Sequence, residues 1–416
     1  MIYAFLFALL TGYSAFAYSS SIGENIHLSE TLGQWQNYAF LEKLLTGMHI
    51  HSVRSSLRIA GDDGHVQFLN ELAAAGITSD ELVDTSFTSW GEVATALQPL
   101  PGVAWLEGPN EQDISGDPDW IAHDQAVASL LAVFRSCGLG IIAPSVTFAD
   151  PAELGDFSSS VTYANAHPYT GRRMPETLGW GPPIYGEPYG SIEYNIAQAR
   201  RVGATLPVVA TEEGYSSAEV DELTQASYVE RETLWAFAHG INHQWLYDLL
   251  DDSQAFGVAR TDGSLKPVAQ GLAGLLQLTA DSGIASAPCT LGVSIATSLP
   301  YESLTLCKTD GEKDLILWEP AQLEDPDTGR PEPATESLVM ISAPRTTGRT
   351  VIYEQSPEYL WSGRVAANPR NASATLSERP LVIVYHAKGV ATFPKLPSLG
   401  TGTGIIPGGI TVPPGS

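Results

Sequence analysis

The sequence predicts an α/β protein: a (β/α)8 TIM barrel followed by a C-terminal antiparallel β-sandwich. From about residue 20 to residue 285, eight short apolar segments alternate with amphipathic stretches of helical periodicity. Eight such units in about 265 residues match the usual size of this barrel. Beyond residue 286 the helical periodicity ends and short alternating segments follow, as in a sandwich. A doubly wound open sheet is the structural alternative, but eight strands favour a closed barrel.

The expected barrel strands are Ser21–His27, Ser52–Ile59, Glu81–Ser86, Val103–Glu107, Gly140–Val146, Val161–His167, Pro207–Thr211 and Ile241–Tyr247. Helices are expected between them, for example at Gly64–Ala75, His123–Ser136, Ile192–Val202 and Ala218–His239. The expected sandwich strands are Ser303–Cys307, Asp314–Trp318, Ser337–Ser342, Arg349–Tyr353, Ala372–Leu376 and Leu381–His386. We therefore assign residues 18–285 to the barrel and residues 286–387 to the sandwich. The Gly/Pro-rich residues 388–416 are expected to be a disordered tail or linker.

Residues 1–17 have the composition of an export signal. Ile2–Leu10 is almost wholly apolar, and Ala15-Phe16-Ala17 fits the small-x-small cleavage pattern. Because no Lys or Arg precedes the apolar run, a wrongly assigned start codon and a short anchor stay open as alternatives. No later run reaches the roughly 20 apolar residues of a membrane span. We expect a secreted or periplasmic protein with no membrane span in the mature chain.

Composition limits the class of partner. Hydrophobic residues make up 44 % of the chain and charged residues 16 %, which permits a packed core and excludes global disorder. The net charge of −26 disfavours nucleic acids and anionic membranes and favours a neutral substrate. Cys289 and Cys307 could form one disulfide, whereas Cys137 is expected to be a buried free thiol. Nothing in the sequence indicates an oligomeric state.

Two carboxylates are expected at the rim of the barrel, where strands end and TIM-barrel enzymes place catalytic groups. Strand four leads into Pro109-Asn110-Glu111, and strand seven leads into Thr211-Glu212-Glu213-Gly214. Glycoside hydrolysis needs such a pair, because one protonated carboxyl group donates to the leaving oxygen while an ionised one attacks the anomeric carbon. Alternation along the strand places Glu212 and Glu213 on opposite faces, so only one of them can attack.

Asn-Glu after strand four, together with Thr-Glu-x-Gly after strand seven, resembles the retaining glycoside hydrolases of clan A, which include families 5, 30, 39 and 128. The resemblance covers about residues 20–285, and a sandwich behind the barrel is similar to families 30 and 39. It implies that Glu111 is the acid/base, that Glu212 is the nucleophile and that Asn110 binds the sugar 2-hydroxyl. It implies no cofactor and no metal. Pro109 is a departure, because many relatives have Trp there.

Five further residues match positions of the clan. Arg58 matches its strand-two arginine, a cation that would keep the nucleophile ionised. His167 and Tyr169 resemble its His-x-Tyr pair after strand six, and His27 closes strand one. Trp245 matches the tryptophan on which the sugar ring rests.

The long segment between Tyr169 and Tyr194 carries Trp180 among many Gly and Pro residues. Aromatic side chains on such a loop suggest sugar-stacking subsites, although a loop that packs its own aromatic residues is nearly as good an interpretation. Arg172 and Arg173 leave an anionic sugar open as an alternative.

The sequence therefore predicts an exported retaining glycosidase that cleaves a β-linked oligo- or polysaccharide. One alternative is a carbohydrate-binding or cell-surface protein that has kept the barrel and lost catalysis. An unrelated barrel enzyme, such as an aldolase or a lyase, is disfavoured because none of the expected barrel strands contains a lysine for a Schiff base.

Overall fold

The computed structural model describes residues 6–29, 33–58, 63–285, 290–343, 348–393 and 396–397. The chain begins with strands β1 (Leu6–Thr11) and β2 (Tyr13–Ser14) and helix α1 (Ala15–Ser19). Both strands pair with strands of the C-terminal domain rather than with the barrel. The export signal expected over residues 1–17 stays a prediction, and the structure pairs Leu6–Thr11 and Tyr13–Ser14 of this segment with strands of the sandwich.

The barrel has eight parallel strands: β3 (Ile22–Asn25), β4 (Ser52–Ser56), β5 (Thr78–Leu82), β6 (Val103–Glu107), β7 (Gly140–Ile142), β8 (Ala164–Ala166), β11 (Val208–Glu213) and β12 (Ile241–Leu246). Their order in the sheet is β7-β6-β5-β4-β3-β12-β11-β8. A bridge between Ile142 and Tyr163 joins the two edges. The predicted closed barrel is therefore confirmed. A short hairpin, β9 (Pro183–Ile184) and β10 (Glu187–Pro188), interrupts the loop after β8.

The helices around the barrel are α2 (Tyr38–Gly47), α3 (Asp63–Ala74), α4 (Trp90–Leu97), α5 (Trp120–Leu131), α6 (Ile192–Ala199), α7 (Glu222–Ala238) and α8 (Pro267–Thr279). Local signals fix several ends. Ser89 and Glu92 form a capping box at α4, and Asp221 accepts hydrogen bonds from two amides at the start of α7. The last turns of the predicted helices His123–Ser136 and Ile192–Val202 are 3₁₀ turns.

The sandwich consists of β13 (Thr290–Ala296), β14 (Glu302–Cys307), β15 (Lys313–Trp318), β16 (Ser337–Ser342), β17 (Thr350–Gln355), β18 (Trp361–Val365), β19 (Asn371–Leu376) and β20 (Leu381–Tyr385), joined by β1 and β2. Its two sheets have the orders β1-β13-β16-β19 and β18-β17-β20-β15-β14-β2. The predicted sandwich is confirmed. The sequence analysis missed β13 and β18.

The structure tests the expectations on the cysteines and the tail only in part. Cys307 is disulfide-bonded, and Cys289 lies outside the described residues. Cys137 is free as expected, but it is exposed rather than buried because it ends a 3₁₀ turn on the surface. Of the expected tail, only residues 388–393 and 396–397 are described. No helix in the described part of the chain has the length and hydropathy to cross a membrane.

Candidate active site

A cavity of about 610 Å³ opens where the barrel strands end, which is where TIM-barrel enzymes hold their active sites. It brings together five of the residues predicted from the sequence: His27, Asn110, Glu111, Tyr169 and Glu212. Residues that sequence reasoning missed also line it, among them Arg54, Glu219, Tyr247, Gln254 and Phe256.

Glu212, near the end of β11, is surrounded by groups that favour its charged form. Arg54 Nη1 donates to Oε1 at 2.8 Å, and the Tyr169 hydroxyl donates to Oε2 at 3.1 Å. Burial by itself would raise the pKa of Glu212. The charges of His167 and Arg54 and the two hydrogen bonds outweigh burial, so the pKa lies below its usual value. Glu212 is thus ionised at neutral pH and faces the cavity.

Glu111 follows β6 in a left-handed backbone conformation, with φ 48° and ψ 43°. A residue other than glycine rarely adopts this conformation, and such strain is found where a site needs it. Its amide donates to the carbonyl and hydroxyl oxygens of Ser145, each at 3.1 Å, and these bonds hold the turn.

The two carboxyl groups are close. One oxygen of Glu111 and one of Glu212 lie within 4.8 Å of each other. This is near the spacing of about 5–5.5 Å found in retaining glycosidases and short of the about 6.5–9.5 Å found in inverting ones. The geometry fits direct attack by one carboxylate without an intervening water molecule.

Arg54, on β4, is the cation beneath the two glutamates. Its Nε and Nη2 donate to the Glu107 carboxylate at 2.5 and 3.0 Å, and Nη1 donates to Asn25 Oδ1 at 2.8 Å. Only 6 % of Arg54 is exposed. Glu107, which forms an ion pair with Arg54, is also fully buried. The pair therefore fixes the guanidinium in the barrel interior, where it stabilises the charge of Glu212.

The sequence analysis assigned this role to Arg58, and that prediction is wrong. The residue is exposed and follows the end of β4 at Ser56. The predicted strand ran to Ile59, so its apparent end lay too far along the chain. Alternation from Ser52, whose side chain reaches His243 in the barrel interior, would have pointed to Arg54.

Asn110 is fixed by two donors. Its side-chain oxygen accepts from Arg54 Nη2 at 2.8 Å and from the Ser145 hydroxyl at 3.0 Å. Since both bonds use the oxygen, the amide NH₂ group is left to donate to a ligand hydroxyl in the cavity.

His167 links the two glutamates to the barrel interior. Its Nδ1 lies 2.8 Å from Glu111 Oε1, and its Nε2 lies 3.0 Å from Thr211 Oγ1. A hydrogen bond between His167 Nδ1 and Glu111 Oε1 requires a proton on one of these two atoms. Burial would lower the pKa of His167, but Glu212 and Glu111 outweigh it and raise the pKa above its usual value. The raised pKa of His167 therefore favours a proton on Nδ1, which is held against Glu111 Oε1.

Trp245, predicted as the sugar platform, is fully buried and does not line the cavity. It packs lower in the barrel with Ile142 and Val209, and its ring centre lies 5.4 Å from that of Trp105. The predicted residue therefore lies in the barrel interior, one layer of side chains below the cavity. Tyr247, two residues later, lines the cavity instead, and its peptide bond to Asp248 is cis.

A second cavity, of about 200 Å³, adjoins the first. It is lined by Phe148, His167, Trp180 and Tyr189 together with Glu111 and Tyr169, which the two cavities share. Trp180 is 40 % exposed and therefore available to a ligand at this rim.

Within the described residues, one group of three side chains has a spacing that could hold a metal ion, and it is Glu111, His167 and Glu212. Two of the three are the glutamates of the carboxyl pair. A divalent cation there would be repelled by the Arg54 guanidinium 2.8 Å from Glu212. That the reaction needs no metal or cofactor stays a prediction.

No protein-family profile matches the sequence, and no curated protein sequence matches it. Among the solved structures with a similar fold, two superpose over most of this chain. A family 39 glycoside hydrolase from the gut symbiont Bacteroides cellulosilyticus WH2 superposes with a TM-score of 0.63 and 16 % identity, over 89 % of this chain and 82 % of that one. CelM2, a bifunctional glucanase-xylanase protein from a metagenome library, superposes with a TM-score of 0.56 and 9 % identity, over 90 % of this chain and 96 % of that one. At these identities the likeness establishes a shared fold.

Proposed function

We propose that this protein is a retaining glycoside hydrolase that cleaves a β-linked, neutral oligo- or polysaccharide. The observation that carries the proposal is the carboxyl pair: Glu111 and Glu212 face one cavity with oxygens within 4.8 Å of each other. The fold shared with two glycoside hydrolases supports the same class, although by analogy alone.

In the first step, the Glu212 carboxylate attacks the anomeric carbon while the bond from that carbon to the glycosidic oxygen breaks. The proton held between Glu111 and His167 passes through the Glu111 carboxyl group to the leaving oxygen. The sugar is then esterified to Glu212, and Arg54 keeps its charge balanced by Glu107.

In the second step, the Glu111 carboxylate takes a proton from a water molecule, and the resulting hydroxide attacks the anomeric carbon. The ester bond breaks and Glu212 leaves as a carboxylate. Two inversions restore the original anomeric configuration. Asn110 would bind the 2-hydroxyl through its free NH₂ group.

A neutral sugar is favoured by the positions of the arginines. Arg54 is committed to Glu107, Glu212 and neighbouring amide oxygens. Arg172 donates to the Glu219 carbonyl oxygen and the Arg173 guanidinium lies over the Trp180 ring, and neither residue lines the first cavity. A uronic acid in the cavity would meet carboxylates without a matching cation.

The test is sugar release from β-linked glucans, mannans, xylans and galactans by the wild type, Glu212→Gln and Glu213→Gln. We expect one substrate to be cleaved with retention, which proton NMR of the first product reports. Glu212→Gln should lose activity by about 10³-fold or more, and Glu213→Gln should keep it. Normal activity in Glu212→Gln would refute the mechanism. Glycan binding by the wild type without any product would favour the non-catalytic alternative.

We also propose that the protein is exported, on the strength of its apolar N-terminus. Cleavage after Ala17 would remove β1 and β2 from the sandwich, where their backbones pair with β13 and β14. N-terminal sequencing of the protein from the native host decides between the two uses of this segment. A start at Tyr18 on secreted protein would support an export signal, whereas intracellular protein that retains β1 would contradict it.

A further inference from the structure

The second cavity bears on where the substrate lies, given the proposed function. Glu212 lines only the first cavity, whereas Glu111 and Tyr169 line both. The anomeric carbon must approach Glu212, and the leaving oxygen must approach Glu111. The sugar that is attacked therefore occupies the first cavity, and the leaving sugar extends into the second, along Phe148 and Trp180.

One wall of the second cavity depends on residues 170–180, which we term the 170–180 loop. This loop follows β8 and ends at Trp180, which the Arg173 guanidinium covers at 4.7 Å from the ring centre. Barrel residues hold part of this loop, for example Tyr215, whose hydroxyl donates to the Arg173 carbonyl oxygen at 2.9 Å, and two further anchors come from the sandwich.

The first anchor is Gln322, which lies in the long connection between β15 and β16. Its side-chain amide donates to the Arg172 carbonyl oxygen at 2.7 Å and accepts from the Met174 amide at 3.0 Å. Gln322 thus binds the backbone of the loop on both sides of Arg173. Asp327, in the same connection, faces Arg173 at 3.8 Å but is 86 % exposed and contributes little.

The second anchor is Trp318, at the end of β15. Its indole NH donates to Glu176 Oε1 at 2.6 Å, and Arg231 of α7 donates to the same oxygen at 2.9 Å. All three side chains are at most 4 % exposed. Hydrogen bonds to a buried carboxylate are among the stronger ones in proteins, so Glu176 fixes the far half of the loop.

We propose that the sandwich is a working part of the active site: Trp318 and Gln322 are positioning residues that hold the 170–180 loop, so that Trp180 lines the cavity that receives the leaving sugar. A barrel without these two contacts would keep its carboxyl pair and bind the leaving group more weakly. The inference rests on the proposed function, and its test separates the two.

The test compares substrates that differ only in the leaving group. A β-glycosyl fluoride of the accepted sugar releases a fluoride ion, which needs neither the second cavity nor the loop. The matching β-linked disaccharide releases a sugar that does. The ratio of kcat/KM for these two substrates isolates leaving-group binding, because both place the same sugar against Glu212.

Trp318→Phe and Gln322→Ala are the test variants, and Trp361→Phe is the matched control. Trp361 is another buried sandwich tryptophan, and its indole NH donates to the barrel at the Gly271 carbonyl oxygen, 2.8 Å away in α8. We expect kcat/KM for the disaccharide to fall about five- to tenfold in both test variants, mainly through KM. Activity on the fluoride should stay within about twofold in all three variants.

Three results would overturn the inference. The first is an equal loss on both substrates in the test variants, which would indicate a general effect on the fold. The second is a loss on the disaccharide in Trp361→Phe as large as in Trp318→Phe. The third is unchanged disaccharide kinetics in Gln322→Ala, which replaces a partly exposed side chain and keeps the test available if Trp318→Phe does not fold. If the wild type cleaves neither substrate in any sugar series, the proposed function fails and the inference with it.

Discussion

Glu212 and Glu213 are neighbours on β11, yet their carboxyl groups lie in opposite surroundings. Glu212 faces the cavity, where Arg54 and Tyr169 lower its pKa below the usual value against the effect of burial. Neither carboxyl oxygen of Glu213 has a hydrogen-bond partner among the described residues, and burial raises its pKa to about 8. Burial is common to both, so the partners decide which carboxyl group carries charge.

The same contrast extends beyond β11. Glu24, Glu232 and Asp248 are buried like Glu213, and burial raises the pKa of each well above its usual value. These groups are neutral carboxylic acids under acidic conditions. Glu212 is instead held in its charged form by the cation that it contacts, Arg54. Variants that remove a partner of Glu212, or that remove the buried carboxyl group of Glu213, test this contrast.

The largest effect is expected from Arg54→Met, which removes the shared cation. Glu107 would be left buried without its partner, which typically costs about 3–5 kcal/mol of stability. Glu212 would lose a strong stabiliser of its charge, so kcat/KM should fall by about 10³-fold. Urea unfolding and kinetics on the folded fraction measure the two losses.

Arg58→Met is the matched control, because Arg58 is exposed and outside the cavity. Its kcat/KM should stay within about twofold of the wild-type value, and its urea unfolding should match that of the wild type. A folded Arg54 variant with activity within tenfold of the wild type would contradict the role of Arg54.

Arg54 also shows where sequence reasoning stops. The eight strands, the sandwich and the positions of Glu111 and Glu212 follow from local patterns, because apolar periodicity and strand-end motifs are local. Arg54 is acceptable in a barrel interior only because Glu107 and Glu212 meet it there, at 53 and 158 positions along the chain. Alternation along β4 gives the face on which Arg54 lies, but no local pattern reveals which carboxyl groups it contacts there.

Trp245 and Tyr247 illustrate the second limit, which is the end of a strand. Both side chains belong to β12 or its continuation, and only the level at which the barrel is filled decides which one reaches the cavity. Glu212 adds a third case: the register of β11 with β12 shifts between Ala210 and Glu213, so simple alternation does not describe this stretch.

The raised pKa of Glu213 leads to a prediction on how the stability of the fold depends on pH. A carboxyl group whose pKa is raised on folding stabilises the fold fully below its unfolded pKa near 4.5, and that contribution is lost as pH rises to about 8. The wild type should therefore be most stable near pH 4–5, and Glu213→Gln should show a weaker decline toward pH 8. The difference should be a few kcal/mol at most.

Urea midpoints from pH 4 to pH 9 give the measurement, with Glu358→Gln, an exposed glutamate of the sandwich, as the control. A Glu213→Gln variant whose stability falls with pH as steeply as that of the wild type would show that this carboxyl group does not titrate in the expected range.

His167→Gln addresses the proton on the cavity side. Glu212 and Glu111 raise the pKa of His167 above 6.5, so the His167–Glu111 pair should keep its proton to higher pH than a carboxyl group alone. In the variant the alkaline limb of kcat/KM should move to lower pH, with a loss of about tenfold at the optimum. The pH profile of the accepted substrate measures the shift. An alkaline limb at the wild-type position would assign it to another group.

The smallest effect is expected from Tyr169→Phe. The Tyr169 hydroxyl donates to Glu212 Oε2 at 3.1 Å, and its loss leaves Arg54 as the main stabiliser of the charge. The acid limb of kcat/KM, which follows protonation of Glu212, should therefore move to higher pH, and activity at the optimum should fall by about tenfold or less. Tyr353→Phe, which alters a buried tyrosine of the sandwich, should leave the profile unchanged. If Tyr169→Phe matched Arg54→Met in its loss of activity, hydrogen bonding rather than the cation would control the charge of Glu212, and the contrast with Glu213 would need a different cause.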